Sequence, residues 1–269
     1  MSTLDGDLPA ARVAAALEEL AAATSRLSDA VERLAADGSD GGGGALDEPS
    51  RLPGWSRRTL LAHLHAGAIA SARMTGEALA GRSAHFYPGG PDERIRKLHA
   101  FDEADASVAV ATCIASAQEL VATWVGLPPA EWQRSFTEGR FGEVRLSRLL
   151  VLRLTELNVH GEDLYCGLNG WSPAFVDIAL PLRIAWLPAH HRARRDTDIS
   201  VTGRWLLSDG SRWWLVRAGA EGASVAEASA DETADASLCG TADELLRVLL
   251  GRLPVDALAI DGDMTSLFS

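Results

Sequence analysis

Cysteine is scarce in this sequence. Only Cys113, Cys166 and Cys239 are present, widely separated and odd in number, which excludes a disulfide framework and points to a reducing cytoplasm. Positive charge is in the minority, with 25 Lys+Arg against 37 Asp+Glu and a formal net charge of −12. An acidic surface repels phosphate, so no nucleic-acid partner is expected. No uninterrupted apolar run approaches the ~18 residues that a membrane span needs, so no membrane partner is expected either. Asp5 and Asp7 stand where a secretory leader would carry basic residues, and no such leader is expected. What is present suits a folded globular protein: 47% apolar and 23% charged residues in a chain of 269, a comfortable length for two domains.

The hydrophobic pattern divides the chain. From Leu8 to about Asp37, apolar residues recur at helical spacing (Val13, Leu17, Leu20, Leu27, Val31, Leu34). A glycine-rich link, Asp37–Gly44, follows. Pro53-Gly54 reads as a turn, and Ser56 stands at the N-cap of a second helix running to about Ala80. Further helices are expected at about Asp92–Val125 and Leu146–Cys166, separated by a loop with Gly139 and Gly142, and another at Pro173–Ala189, bent at Pro181. The polar run His190–Asp196 reads as a linker. Beyond it the period becomes two. Strands are expected at Ile199–Val201, Trp205–Leu207, Trp213–Val216, Ala223–Ala228, Ala236–Cys239 and Val255–Ile260. Asp209-Gly210 signals a hairpin, and Thr241 caps a helix to about Gly251. The expectation is an α plus α/β two-domain chain: a four-helix bundle over residues 1–189, then a small α+β domain over 196–269.

One stretch concentrates chemistry. Glu156 and His160 are four apart on a helix and therefore share a face. His63, within the apolar Leu60–Leu64 segment, is an available third group. By spacing alone, the pair reads as a metal grip or a solvated acid–imidazole pair, and His63 as a ligand or a hydrogen-bonded core histidine. Asp163 lies on the same stripe, able to orient the His160 ring or to stand as a helix-surface acid. Cys166 falls off the stripe and His65 on the face opposite His63.

These residues sit in recognisable motifs. Leu52-Pro53-Gly54-Trp55-Ser56-Arg57 through His63-Leu64, Glu156-x-x-x-His160-x-x-Asp163-Leu164 followed by Trp171-Ser172-Pro173, and Leu249-Leu250-Gly251-Arg252 together resemble the mycothiol-dependent maleylpyruvate isomerase family. That resemblance implies a DinB-like metal-binding bundle and a sterol-carrier-like C-terminal domain. It implies His63, Glu156 and His160 as ligands of a divalent metal, usually zinc, and Arg252 as the active-site arginine. Gly161 is a departure, because many members carry a second histidine there.

Two imidazoles and one carboxylate leave a coordination position open, as in catalytic rather than structural zinc sites, though iron or nickel suits the same donors. A metal-held thiol is deprotonated at neutral pH. The resemblance names the thiol as mycothiol. The expected partners are thus a small-molecule thiol and an electrophilic small molecule, in an isomerase or S-transferase reaction. In either reaction Arg252 would pair a substrate carboxylate or stabilise a developing enolate, unless it stands as a structural arginine on the last helix. The competing expectations are a non-catalytic metal- or ligand-binding module and a metal-dependent hydrolase working without thiol.

Overall fold

A computed structural model describes residues 6–37, 44–139, 142–194, 202–220, 222–264 and 267, with the backbone alone for 189–194. Among these residues are eight α-helices and seven strands. They fall into two compact units, one of Asp7–Phe175 and one of Met1–Gly6 with Val176–Ser269.

The first unit is built on four long helices: α1 (Val13–Asp37), α3 (Arg57–Leu79), α5 (Ala106–Val125) and α6 (Ser147–Asp163), with a short α2 (Gly44–Asp47) before α3 and α4 (Gly90–Leu98) after it. α1 and α3 each pack against both α5 and α6, which closes a four-helix ring. Its core follows the helical stripes: Leu20, Leu27 and Val31 from α1, Leu60, Leu64 and Met74 from α3, Leu120 and Trp124 from α5, Leu150 and Leu154 from α6. Trp124 is buried with its indole N–H donating to Thr75 Oγ1 at 2.9 Å, so this core side chain leaves no polar atom unpaired. Among the described helices, α5 alone has the length and hydropathy of a membrane span (mean hydropathy 1.5 over its apolar window), and here it packs against α1 and α3.

Ser56 caps α3 as expected, its hydroxyl accepting from Thr59 N–H at 3.1 Å. The single helix expected over Asp92–Val125 is instead two, α4 and α5, with a break at residues 99–105. No proline or glycine marks that break; Arg58 makes it. Its guanidinium donates to the carbonyls of Phe101 (3.1 Å) and Ala104 (2.6 Å) while gripping Asp47. Phe101 turns inward against His65. The loop expected around Gly139 and Gly142 contains a hairpin, β1 (Ser135–Glu138) antiparallel to β2 (Gly142–Arg145).

In the second unit, α7 (Pro173–Arg194) runs longer than expected and holds both Pro181 and Pro188. A five-stranded sheet follows in the order β5-β4-β3-β6-β7, with β3 (Gly203–Ser208), β4 (Trp213–Gly219), β5 (Gly222–Ala228), β6 (Ala236–Cys239) and β7 (Ala259–Asp261). The Asp209-Gly210 hairpin joins β3 to β4, and β3 pairs β6 in parallel. Trp214 and Trp205 are buried, whereas Trp213, pointing the other way from Trp214, is partly exposed. α8 (Ala242–Leu249) opens with a reciprocal capping box between Thr241 and Glu244. The last strand expected at Val255–Ile260 is a 3-10 turn over Val255–Ala257 and then β7. The strand expected at Ile199–Val201, the linker side chains of His190–Asp196 and the interior of the Asp37–Gly44 link lie outside the described residues.

Arg57 ties the first unit together. It is buried at the start of α3 and donates to the carbonyls of Leu164 (2.9 Å), Tyr165 (3.2 Å) and Ala45 (2.9 Å) and to Glu48 (2.6 Å). Truncation would leave buried carbonyls without donors, at roughly 1–3 kcal/mol each. Arg57→Ala is therefore expected to destabilise the protein by about 2–4 kcal/mol in urea unfolding; a loss below about 0.5 kcal/mol would show that Arg57 does not join these segments.

Candidate metal centre

The centre begins with a turn. Pro53 and Gly54 occupy the middle of a turn closed by Trp55 N–H on Leu52 C=O at 3.1 Å, and Gly54 has φ +79°, which requires glycine there. The turn leads directly into α3. One and a half turns later, His63 faces α6, with Trp55 edge-on at 5.6 Å between ring centroids.

On α6, Glu156 and His160 present one face. His63 Nε2 lies 2.6 Å from Glu156 Oε2, and His160 Nε2 lies 3.4 Å from the same oxygen. The two imidazoles stand edge to face with centroids 5.0 Å apart. One ligand atom from each of the three residues falls within 4.8 Å of the others, a cluster able to hold a metal ion. His160 Nδ1 lies 2.8 Å from Asp163 Oδ2, and Asp163 is buried. The carboxylate accepts the Nδ1 proton, which fixes the tautomer and leaves Nε2 as a lone pair aimed at the cluster.

The electrostatics follow from that geometry. Burial acts to raise the Glu156 carboxyl, but the hydrogen bond with His63 and the nearby charges of His63, His160 and Arg153 outweigh it and bring it down to about 2. Glu156 is thus an anion facing two ring nitrogens. A cation satisfies all three. The His160–Glu156 separation of 3.4 Å is the edge of a tetrahedron with bonds of about 2.1 Å, whereas His63 and Glu156, in hydrogen-bond contact at 2.6 Å, would have to part by under ~1 Å to share a divalent ion.

The remaining candidates separate clearly. His65 hydrogen-bonds Ser116 Oγ at 2.9 Å and lies against Phe101; it is a core histidine whose pKa burial pushes down. The thiols do not suit nucleophiles: burial pushes Cys113 up to about 11 and raises Cys166 and Cys239 as well. Gly161 is buried, and a side chain there would meet Leu168 at 3.3 Å, so that departure from the motif does not line the cavity beside the cluster. Arg252 lies just beyond α8 in the second unit, donating to Leu250 C=O at 3.3 Å.

A cavity of about 790 Å³ opens beside His63 and Glu156. Its walls include His85 and Tyr87 from the loop before α4, Arg94 from α4, Glu138 from β1 and Arg153 from α6. Sequence reading passed over all of these. Only Arg153 carried a signal, as a lone charge in the apolar run Leu149–Leu154, three residues before Glu156. His85 and Tyr87 arrive on the loop before α4, Arg94 on α4 itself and Glu138 on the β hairpin.

The Asp163 contact generates a direct prediction. Asp163→Asn keeps the shape but loses the charge behind His160, so metal affinity is expected to fall about 10–100-fold in competition with a chelator. Unchanged affinity would mean that Asp163 does not orient a ligand.

The comparisons with known proteins agree with this arrangement. Residues 20–165 match the family described as mycothiol maleylpyruvate isomerase N-terminal domain. Two solved structures share the fold. The crystal structure of the mycothiol-dependent maleylpyruvate isomerase is 20% identical with a TM-score of 0.64. A mutant of that isomerase, with a histidine replaced by alanine, is 19% identical with a TM-score of 0.66. Each covers 96% of this chain and is itself covered to 96%. No curated protein matches. With more than half its length matched, and with both bundle motifs meeting in one cluster, this chain belongs to the mycothiol maleylpyruvate isomerase family.

Proposed function

We propose that the protein is a mycothiol-dependent isomerase of maleylpyruvate-type substrates, with His63, Glu156 and His160 holding a divalent metal, most simply zinc. The observation that carries this reading is the convergence of three ligand atoms within 4.8 Å beside a cavity. The helical ring is proposed as a bundle of the DinB type, and the sheet unit as a sterol-carrier-like domain. All three cysteines are free, which suits the cytoplasmic setting proposed here.

A divalent metal held by His63, Glu156 and His160 would supply one thing: acidification of a bound thiol, so that its sulfur is a thiolate at neutral pH. The chain's own residues do the rest. Asp163 keeps the proton of His160 on Nδ1, and Trp55 covers one edge of His63. The cavity receives the electrophile. The thiol sulfur then adds to an activated carbon–carbon double bond, which becomes single and rotates. Elimination returns the thiol and gives the trans isomer. The same nucleophile would serve S-transfer if the adduct were kept, and product analysis separates the two. Arg252 enters as a partner for a substrate carboxylate, on the resemblance of its Gly-Arg motif.

His160→Ala is expected to abolish metal content and mycothiol-dependent turnover together, beyond the ~10–100-fold loss that removing an outer partner causes. Elemental analysis with mass spectrometry of products measures both, and full turnover in metal-free protein would sink the proposal. In the same assay Arg252→Ala is expected to retain metal and lose kcat/KM about 10–100-fold, the worth of one charged hydrogen bond. Unaltered kinetics would remove Arg252 from the reaction.

A further inference from the structure

We propose that Arg153 is the anion-binding residue of the cavity beside the cluster, and that its ligand is a carboxylate of the small-molecule substrate. The proposal rests on the reading of that cavity as the substrate pocket.

Arg153 is 3% exposed, yet its side chain lines the cavity. One guanidinium nitrogen, Nη1, donates to Leu64 C=O at 2.9 Å. The other, Nη2, is buried with no hydrogen-bond partner. Among the described residues no carboxylate forms an ion pair with it. A buried guanidinium with an idle donor is costly, typically by a few kcal/mol, unless something else supplies the acceptor. Burial also pushes its pKa down, outweighing the opposing pull of the Glu156 charge one helical turn away. The other acid of the wall, Glu138, exerts its charge on Arg148 instead.

Room has been made for this side chain. Gly67 on α3 faces it, and a Cβ there would come within 3.3 Å of Arg153 Nη1. Further positive and donor groups gather on the same wall. Arg94 leans over the Trp55 ring at 5.8 Å, and Tyr87 beside it is a phenol that burial keeps protonated. Arg153 precedes Glu156 by one helical turn, about 4.5 Å along the axis. An acid bound at Arg153 would therefore place a carbon two or three bonds from its carboxylate beside the cluster. The charge of Arg153 would favour an acid over a neutral electrophile, and the spacing would favour a short one.

The test uses full-length metal-loaded protein, titrated calorimetrically with maleate and with its neutral isostere maleamide. Wild type is expected to prefer maleate by about tenfold or more, the range of one charge-assisted hydrogen bond. Arg153→Gln should lose most of that preference with metal content unchanged, and Arg153→Lys should recover part of it. An equal preference in wild type and a folded Arg153→Gln would overturn the proposal. Gly67→Ala gives an independent check, because alanine favours the helix while crowding Nη1. It is expected to weaken maleate several-fold and leave maleamide unaffected; unchanged maleate affinity counts against Arg153 even if Arg153→Gln does not fold. Loss of metal from wild type would contradict the metal reading, and the maleate preference reads out separately from it.

Discussion

The site depends on a single buried guanidinium. Arg57 opens α3 and donates to the carbonyls that close α6, those of Leu164 and Tyr165, more than a hundred residues later in the chain. Arg51 N–H adds a bond to Asp163 C=O at 2.7 Å, and its guanidinium lies over the Tyr165 ring. Tyr165 adopts φ +55°, a left-handed conformation that a bulky residue takes only when its surroundings impose it. These contacts pin the start of one helix to the end of another. With both helices rigid, the position of His63 against Glu156 and His160 is then set by counting turns. The two bundle motifs are thus the halves of one joint, and the ligands ride on the helices that the joint aligns.

The Glu156–His160 face of the cluster was legible because its signals are local, whereas His63 joined it only through the resemblance of its motif. Glu156, His160 and Asp163 follow the helical repeat, and Ser56 and Thr241 are caps that a short window reveals. What the sequence concealed was decided by distant partners. No breaker residue separates α4 from α5; the break exists because Arg58 takes the carbonyls of Phe101 and Ala104. The β1–β2 hairpin has strands of four residues, too short for an alternating pattern to show. The hairpin brings Glu138 to the cavity wall, so the cavity was less readable than the His63–Glu156–His160 cluster beside it. Arg153 illustrates the difference: on a helix its charge reads as a surface residue, and only the packing of α3 against α6 shows it to be buried.

Within this arrangement the protein divides its labour. Two imidazoles and a carboxylate provide an electron-rich corner, Asp163 sets the proton on His160, and desolvation raises all three thiols of the chain, most of all the buried Cys113. The proposed reaction would draw its sulfur from a diffusible thiol. The cationic wall formed by Arg94 and Arg153 faces the same cavity, so nucleophile and electrophile would be gathered by different chemistry, one by the metal and one by charge.

The central claim is that a metal held by His63, Glu156 and His160 takes the sulfur of an external thiol. X-ray absorption spectroscopy on zinc-loaded protein tests it directly. Without thiol, the account predicts a shell of nitrogen and oxygen donors at about 2.0–2.2 Å. On adding mycothiol, one sulfur should enter at about 2.3 Å. A shell that stays free of sulfur at saturating thiol, or one that already contains sulfur before thiol is added, would contradict it.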